Sequence, residues 1–461
     1  MRRSLFSLLA LGVAACSQVP ELAMPETTLP AAYGEQQGAP LTAPSEWWTL
    51  FGSAELNRLE QTALAANHDL KAAIARIEQA QAELRIAGAP TLPTITGGGT
   101  GSNRMTHGSS TSTLSTSKRA TTTRSFEGSL TASYEVDFWG KTAAAIQSAE
   151  ASLRASRFDR DTVALTLTAN VATTWMQALA LADRVTVARR NLELARETLA
   201  LAERQAEFGK TSQLDAAQQR ATVATIEAKL PALELQYRQS VNALAVLTGL
   251  APSQLRLEST SLEGLPTPEV KAGLPSELLR RRPDIAKAEA QLQAANADIG
   301  VARAALYPSL TLTAEGGYTS PYLISLLDAH NTFWTLGSSL AATLFDNGKL
   351  RGTVALNEAK LREAAESYQS ATLTALQEVE DQLAAMRWLA GQEEAQTRAV
   401  DAAREAQRLS DVRYREGAEQ YLTVLEAQRT LLDAEDSAVQ VRLSRLSASV
   451  GLVKALGGGM D

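Results

Sequence analysis

The sequence predicts a mainly α protein with a β-barrel portion, built from one duplicated unit. Three observations carry this reading. A self-similarity spans nearly the whole chain, two very long stretches are almost free of helix breakers, and two pairs of short segments alternate in polarity with a period of two. Composition agrees with the helices: about 18% of the 461 residues are Ala, the best helix former, and only 5% are aromatic. Gly (28) and Pro (15) together fall below ordinary usage, which excludes a collagen-like or mostly disordered chain. A net charge of −7 argues against a nucleic-acid-binding surface. A single Cys excludes an internal disulfide and a multi-Cys metal site.

That Cys ends a targeting segment. Arg2 and Arg3 precede an apolar run at 5–13, and small residues lead from Val13 to Cys16. The run is too short to span a membrane and has the layout of a secretory signal peptide, 1–15. Cys16 stands where a lipobox places its acylated thiol, so it is expected to be lipidated and to become the mature N-terminus. Residues 16–45, with Pro20, Pro25, Pro30, Pro40 and Pro44, read as an extended tether.

After a short segment at 46–66 the repeat begins. Asn67-His68-Asp69-Leu70 matches Arg282-Pro283-Asp284-Ile285 at an offset of 215, and Leu92-Pro93-Thr94-Ile95 matches Tyr307-Pro308-Ser309-Leu310. From Gly140-Lys141 against Gly348-Lys349 onward the offset is 208, through Gly209 and Gly417 to Gly249 and Gly457. The first repeat therefore spans 67–250 and the second 282–457, with a linker at 251–281, a tail at 458–461 and one seven-residue insertion between about 96 and 139.

Each repeat opens with a helix, 69–88 and 284–305. Candidate strands follow near 94–103 and 125–137, then near 309–318 and 333–345. Phe126, Gly128, Leu130, Ala132, Tyr134 and Val136 share one side, as do Leu310, Leu312 and Ala314, and Leu336 and Leu340. The Ser/Thr-rich 105–124 and the irregular 318–333 are expected to be external loops. Residues 141–208 contain neither Pro nor Gly, and in 349–416 the only breakers are Gly352 and Gly391. Heptad seams are predicted at Val185, Ala188, Leu192, Ala195, Leu199, Ala202 and Ala206, and at Ala395, Ala399, Ala402, Ala406 and Leu409. Return helices follow at 214–247, with a kink expected at Pro231, and at 422–456. Four strands with open edges cannot close a barrel, whereas three copies supply twelve. No later stretch is apolar enough for a membrane helix.

The chain resembles the TolC-like outer-membrane factor family, in particular its lipoprotein branch serving resistance-nodulation-division (RND) pumps. The likeness rests on Trp47-Trp48-Thr49-Leu50-Phe51, Leu279-Arg280-Arg281-Arg282-Pro283-Asp284-Ile285, Tyr307-Pro308-Ser309-Leu310, Leu344-Phe345-Asp346-Asn347-Gly348, Tyr414-Arg415-Glu416-Gly417 and Tyr421 through Arg429. The resemblance implies a homotrimer in the outer membrane, anchored by lipid and spanning by a 12-stranded barrel. It also implies a periplasmic tube of twelve coiled-coil helices, girded at its equator by 46–66 and 251–281. The implied partners are a periplasmic adaptor, an inner-membrane RND-type pump and membrane lipid, with no nucleic acid and no cofactor. The implied function is passive export of drugs or other small toxic solutes. Adaptor contact is expected at two tips, Phe208-Gly209-Lys210-Thr211-Ser212 and Tyr414-Arg415-Glu416-Gly417-Ala418.

Leu422 and Glu426, four apart, share a helix face, and Arg429 lies three residues on. By resemblance this face lines the lumen and forms the periplasmic gate, with Glu426 in place of the Asp common in the family. The competing readings are bland. Arg280-Arg281-Arg282 reads as a charged helix start, Trp47 and Trp48 as a packed pair, and Asp69 and Asp284 as helix-start acids rather than a dyad. His68, His107 and His330 lack metal-ligand spacing, and no catalytic motif is present. The alternative to a channel is a periplasmic coiled-coil adaptor or structural lipoprotein without a pore, against which the alternating strands speak.

Overall fold

The computed structural model describes residues 18–26, 29–34, 44–112, 115–268, 270 and 272–458. The signal peptide and Cys16 lie outside the described residues. In chain order the elements are α1 (Ala54–Ala66), α2 (His68–Gly88), β1 (Thr94–Ser112), β2 (Ser115–Val136), α3 (Lys141–Glu207), α4 (Gln213–Leu247), α5 (Pro275–Arg281), α6 (Pro283–Ala304), β3 (Ser309–Ser320), β4 (Thr332–Ala341), α7 (Lys349–Arg415) and α8 (Tyr421–Ala455). The duplication is visible in the lengths. α3 and α7 each have 67 residues, about 100 Å of helix, and α4 and α8 each have 35. Gly352 and Gly391 stay inside α7, and α4 continues as one helix through Pro231.

The chain divides into two compact units. One comprises the stretch to Pro25, Ile77–Ala155 and Ala288–Tyr368. Its sheet is antiparallel throughout, in the order β1-β2-β3-β4. Its two hairpins use their residues differently. β1 and β2 stay paired from Thr94↔Ser133 to Ser112↔Ser115, whereas β2 and β3 pair only from Val136↔Leu310 to Phe126↔Ser320. The expected loop at 105–124 is therefore a continuation of the ladder. Thr-rich segments suit extended backbone, and the absence of core residues did not mean the absence of pairing. Between β3 and β4 the connection does contain irregular structure, two short 3-10 turns. β4 ends at Ala341, before the expected 345, because Asp346 turns the chain into α7: its carboxylate accepts from Gly348 N (2.9 Å) and Leu350 N (2.7 Å). Where the sheet meets the helices, Trp139 stacks on Tyr307 with ring centroids 4.5 Å apart and donates to Pro308 O (2.7 Å).

The second unit comprises Glu26–Arg76, Ser156–Lys287 and Gln369 onward. Trp47, Phe51, Leu56, Trp175, Met176, Leu179, Leu244 and Leu446 are fully buried in its core. Trp47 and Trp48 pack edge to face, 5.8 Å between centroids. The repeat recurs here as contacts. Asn67 Nδ2 donates to Leu247 O (2.9 Å), and its counterpart Arg282 donates to Ala455 O (2.9 Å), 208 residues on. Gly249 (φ +71°) and Gly457 (φ +91°) abut the carbonyls of Ala66 and Arg281, where an added Cβ would lie 2.7 Å from each oxygen. Both conformation and space require glycine at these two positions. Asn67 also caps α2, accepting from Asp69 N and Leu70 N.

Two expectations are corrected in this unit. Arg282 is buried rather than part of a solvated charge run: it binds Asp284 (2.6 Å) and Glu378 (2.6 Å), which supply the charge that burial demands. On α3, Val185, Ala188, Leu192, Ala195 and Ala202 are buried as predicted. On α7 the stripe buried within the protomer is Val400, Ala403, Gln407, Ser410 and Tyr414, whereas Ala395, Ala399, Ala402, Ala406 and Leu409 are exposed on the single chain. Polar side chains take seam positions there, so apolarity alone selected the neighbouring face.

Glu60, on α1, is fully buried, and among the described residues neither of its carboxyl oxygens has a hydrogen-bond partner. Desolvation pushes its pKa up to about 9. The folded state keeps a proton that the unfolded chain releases above about pH 4.3, so this group favours folding at low pH and the contribution is lost as pH rises toward 9. Glu60→Gln should therefore gain stability over the parent progressively between about pH 5 and 9, read as the difference in thermal midpoints. A difference independent of pH would show that Glu60 does not titrate in this way.

Candidate functional site

The sheet presents two chemically different faces. The register places Ile95, Ala132, Ala314 and Leu336 in one row, Gly97, Leu130, Gly316 and Trp334 in the next, and Val136, Leu310 and Leu340 in another. This face is apolar and uncovered: Leu336 is 72% and Trp334 77% exposed. The opposite face carries Thr94, Thr96 and Thr100 on β1, Glu127, Thr131, Ser133 and Glu135 on β2, Thr311, Thr313 and Glu315 on β3, and Thr335 and Ser339 on β4. Apolar and polar faces alternating along every strand are what a membrane barrel wall requires.

The two helical tips are in the second unit, and each reversal is fixed by backbone. At the first, Gly209 (φ +70°) lets Gly209 N donate to Ala206 O (3.1 Å) and Lys210 N to Gln205 O (2.8 Å). At the second, Gly417 (φ +76°) supports Gly417 N to Tyr414 O (3.0 Å) and Ala418 N to Arg413 O (2.8 Å). Both are Schellman closures, which satisfy the last helix carbonyls. The start of α4 is then capped reciprocally by Ser212 and Asp215, and Thr211 Oγ1 donates to the same Asp215 carboxylate (2.5 Å). α8 has no side-chain cap at Gln420; instead Glu419 binds Arg413 across the turn (3.3 Å). Phe208 is 75% exposed, Gly209, Lys210, Ser212 and Arg415 to Ala418 are exposed, and Thr211 is half-buried, while Tyr414 is buried against Tyr421, rings 6.0 Å apart. Residues of both tips line one cavity, among them Lys210, Asp215, Glu416 and Leu422.

Above the tips, α8 is bound to α3 and α4 by polar groups. Tyr421 OH donates to Gln219, which donates from Nε2 to Ala195 O (2.7 Å). Gln428 Nε2 donates to Thr198 Oγ1 (2.8 Å). Glu435, 5% exposed, receives Arg190, Asn191 (3.3 Å) and, from α7, Arg404 (3.1 Å). Arg184 grips Asp436 with two bonds of 2.6 and 3.1 Å. Burial raises the pKa of both Tyr414 and Tyr421, which keeps both phenols protonated well above neutral pH.

The expected gate residues lie on the other side of α8. Leu422 is 54% exposed, and Glu426 and Arg429 are exposed, whereas Tyr421, Val424, Leu425 and Gln428 are buried. Leu422, Glu426 and Arg429 thus share one free face, but among the described residues no ion pair joins Glu426 to Arg429. The polar seam of Gln219, Thr198, Gln428 and Glu435 was not anticipated. Its signal was available: Tyr421, Leu425, Gln428, Leu432 and Glu435 follow heptad spacing, with polar residues at seam positions.

Comparison with known proteins agrees with this architecture. A sequence model described as outer membrane efflux protein matches residues 59–250 and 274–458, one match per repeat. The pyoverdine export outer membrane protein OpmQ of Pseudomonas aeruginosa is 45% identical over 415 residues, 90% of this chain and 87% of that one. The probable efflux pump outer membrane protein TtgC of Pseudomonas putida is 33% identical over 98% of this chain and 96% of that one. Among solved structures, the Campylobacter jejuni CmeC outer membrane channel superposes with a TM-score of 0.89 at 26% identity, covering 97% of this chain and 96% of that one.

Removing the carboxylate of Glu435 leaves Asn191 without one of its partners while the half-exposed Arg190 and Arg404 return to water. Glu435→Ala should lower stability by about 1–3 kcal/mol, measured as a shift in the denaturant midpoint. No shift would mean that this clamp adds nothing to the folded state.

With its apolar and polar sheet faces, its paired helical hairpins and a family match across both repeats, the chain belongs to the outer membrane efflux protein family and is an outer-membrane export channel.

Proposed function

We propose that the protein works as a lipid-anchored homotrimer, in which three four-stranded sheets close one twelve-stranded barrel and the helical hairpins continue it as a conduit through the periplasm. The observation that carries this is the sheet itself. One face is apolar and the outer edges of β1 and β4 have no partner among the described residues, a combination that lipid tolerates only when further strands close the edges. Export through it is passive. An inner-membrane pump of the RND type supplies the energy, and a periplasmic adaptor docks on the exposed tips at Phe208–Ser212 and Tyr414–Ala418. The cargo is a small solute: relatives are named for pyoverdine export and for efflux, and a wide conduit needs few selective contacts. Cys16 carries the lipid.

The gate is the free face of α8. Three copies of Leu422 and of Glu426 form an apolar and an acidic ring, and Arg429, which lacks an acidic partner in its own protomer among the described residues, reaches a neighbouring one. Because adaptor binding has to open these contacts, they must be few and weak.

Two measurements check this reading. Replacing Leu422 and Glu426 together by Ala should raise single-channel conductance in planar bilayers and admit large antibiotics to cells; unchanged conductance in a correctly assembled double variant places the gate elsewhere. Gly209→Glu or Gly417→Glu sets a bulky charged side chain in a left-handed turn, at about 1–2 kcal/mol of local strain. Such variants should still assemble but lose adaptor binding and export, so full adaptor binding by either one would move the docking site away from the tips.

A further inference from the structure

The loop between β3 and β4, at the end of that hairpin away from α6 and α7, is built inside out. Tyr322, Leu323, Ile324 and Leu327 are all exposed, Ile324 to 99%. The polar groups of the loop turn inward instead. Ser320 Oγ bonds Ser325 Oγ (2.9 Å) and accepts from Tyr322 N (3.2 Å), while Asn331 Nδ2 donates to Ser325 O (2.6 Å). Ser325 N, Leu326 N and Asp328 N donate to Tyr322 O, Leu323 O and Ser325 O. These bonds fix the turn and hold its apolar side chains outward. Large apolar side chains clustered and displayed in this way mark an interaction surface.

The register tells which side of the sheet this surface joins. Ser320 pairs with Phe126, one row beyond Tyr318 and Gly128, and its side chain belongs to the face of Leu310, Leu312 and Ala314. Ser320 is buried, and the turn bonded to its hydroxyl is what covers it. The loop therefore folds over the apolar face. It also sits where that face is incomplete. On β2 the apolar face runs from Val136 to Phe126, about 34 Å of strand, which at the usual tilt is about 26 Å of height and matches the ~25 Å apolar band of a membrane barrel. β4 supplies only Leu340 to Trp334, about 20 Å of strand and about 16 Å of height. Its first residue, Thr332, is level with Tyr318 and Gly128, so no residue of β4 is level with Phe126. The missing height of about 10 Å lies beside the loop. One row beyond Phe126 the same face carries Asn103 and Arg124, where the apolar band ends. We propose that Tyr322, Leu323, Ile324 and Leu327 form a lipid-binding surface that enters the acyl chains of the outer leaflet and completes the apolar belt above β4. This rests on the barrel reading given above. Continuity with the apolar sheet face selects acyl chains as the occupant. A neighbouring copy would bring the outer part of its β1, which offers Met105 among Ser102, Asn103, Arg104 and Thr106 and is no match for four apolar side chains.

The surface is tested in the full-length protein reconstituted into phosphatidylcholine vesicles, with a bimane fluorophore on one introduced cysteine. The sites are Ile324→Cys on the loop, Leu336→Cys within the apolar face and Thr106→Cys beyond it, all at exposed positions. The parent, labelled in parallel, gives any contribution of Cys16 to be subtracted. The two quenchers are a nitroxide on the lipid acyl chain and iodide in the water on both sides. The Ile324 label should behave like the Leu336 label, quenched by the nitroxide lipid and protected from iodide, and the Thr106 label should do the reverse. Leu323→Asp combined with Leu327→Asp changes only exposed side chains. Because charge is unfavourable in hydrocarbon, this pair should make the Ile324 label lose its nitroxide quenching and gain iodide quenching. Iodide quenching at Ile324 equal to that at Thr106 places the loop in water and overturns the proposal. Protection from both quenchers overturns it as well, since protein then covers the surface. Unchanged quenching in the double Asp variant shows that these side chains do not hold the loop in lipid and overturns their role. The Leu336 label keeps the two readings apart. If the nitroxide lipid does not quench it, the barrel reading fails and the loop proposal with it; a quenched Leu336 label with an Ile324 label in water removes the loop proposal alone.

Discussion

A backbone N–H or C=O left unpaired in hydrocarbon costs several kcal/mol, and this one constraint shapes the molecule. A sheet with an apolar face and two unpaired edges cannot remain in lipid alone. The described residues of the protomer provide four strands in sequence order, and neither outer edge has a partner among them. Because each strand separates apolar from polar side chains by simple alternation, the same twelve-residue β3 meets lipid with Leu310, Leu312 and Ala314 and turns Thr311, Thr313 and Glu315 the other way. Glycine at 97, 99, 128 and 316 on the apolar face leaves room beside the large Leu and Trp side chains.

Duplication halves the number of solutions the chain has to find. In both repeats the side chain 215 residues apart, Asn67 or Arg282, holds the carbonyl at the end of the return helix, and Gly249 or Gly457 lets the following turn approach the backbone of Ala66 or Arg281. The copies have diverged where chemistry differs. Asn67 is neutral and needs no counter-charge. Arg282 in the equivalent place brings a full charge into a buried site and is matched by Asp284, whose counterpart Asp69 is also an acid, and by Glu378, which stands where the first copy has Asn170.

The helical hairpins are held by two kinds of contact. Within the first, Leu192, Ala195, Val223 and Ile226 form an apolar cluster that water would disrupt at substantial cost. Between α8 and the α3/α4 hairpin the contacts alternate: near the tips Leu201 of α3 packs on an apolar cluster of Tyr414 from α7 with Tyr421, Val424 and Leu425 from α8, then come hydrogen bonds from Tyr421 and Gln428, and higher up the charges of Glu435 and Asp436. Hydrogen-bonded groups can exchange a protein partner for water at little net cost, whereas apolar surface cannot. The two seams therefore differ in how readily they separate, and the free face of α8 with Leu422, Glu426 and Arg429 belongs to the helix on the more separable one.

Much of this was written in local sequence. Helix ends followed from Gly209, Gly417 and long breaker-free runs, since backbone conformation and hydrogen bonding within a helix depend only on near neighbours. Strand polarity followed from alternation, and the order of elements from the repeat. The sequence did not determine how far the first hairpin runs, because the ladder through 105–124 depends on a partner strand and not on hydrophobicity. Nor did it reveal which face of α7 is inside: Gln407 and Ser410 are seam residues only because neighbouring helices supply a packed surface, while the Ala stripe beside them looks like a better core and lies exposed on the single chain. The charge of Arg282 and the partnerless carboxyl of Glu60 were likewise decided by tertiary structure, since each depends on groups brought together from distant parts of the chain, where burial and proximity set energies that no local pattern encodes.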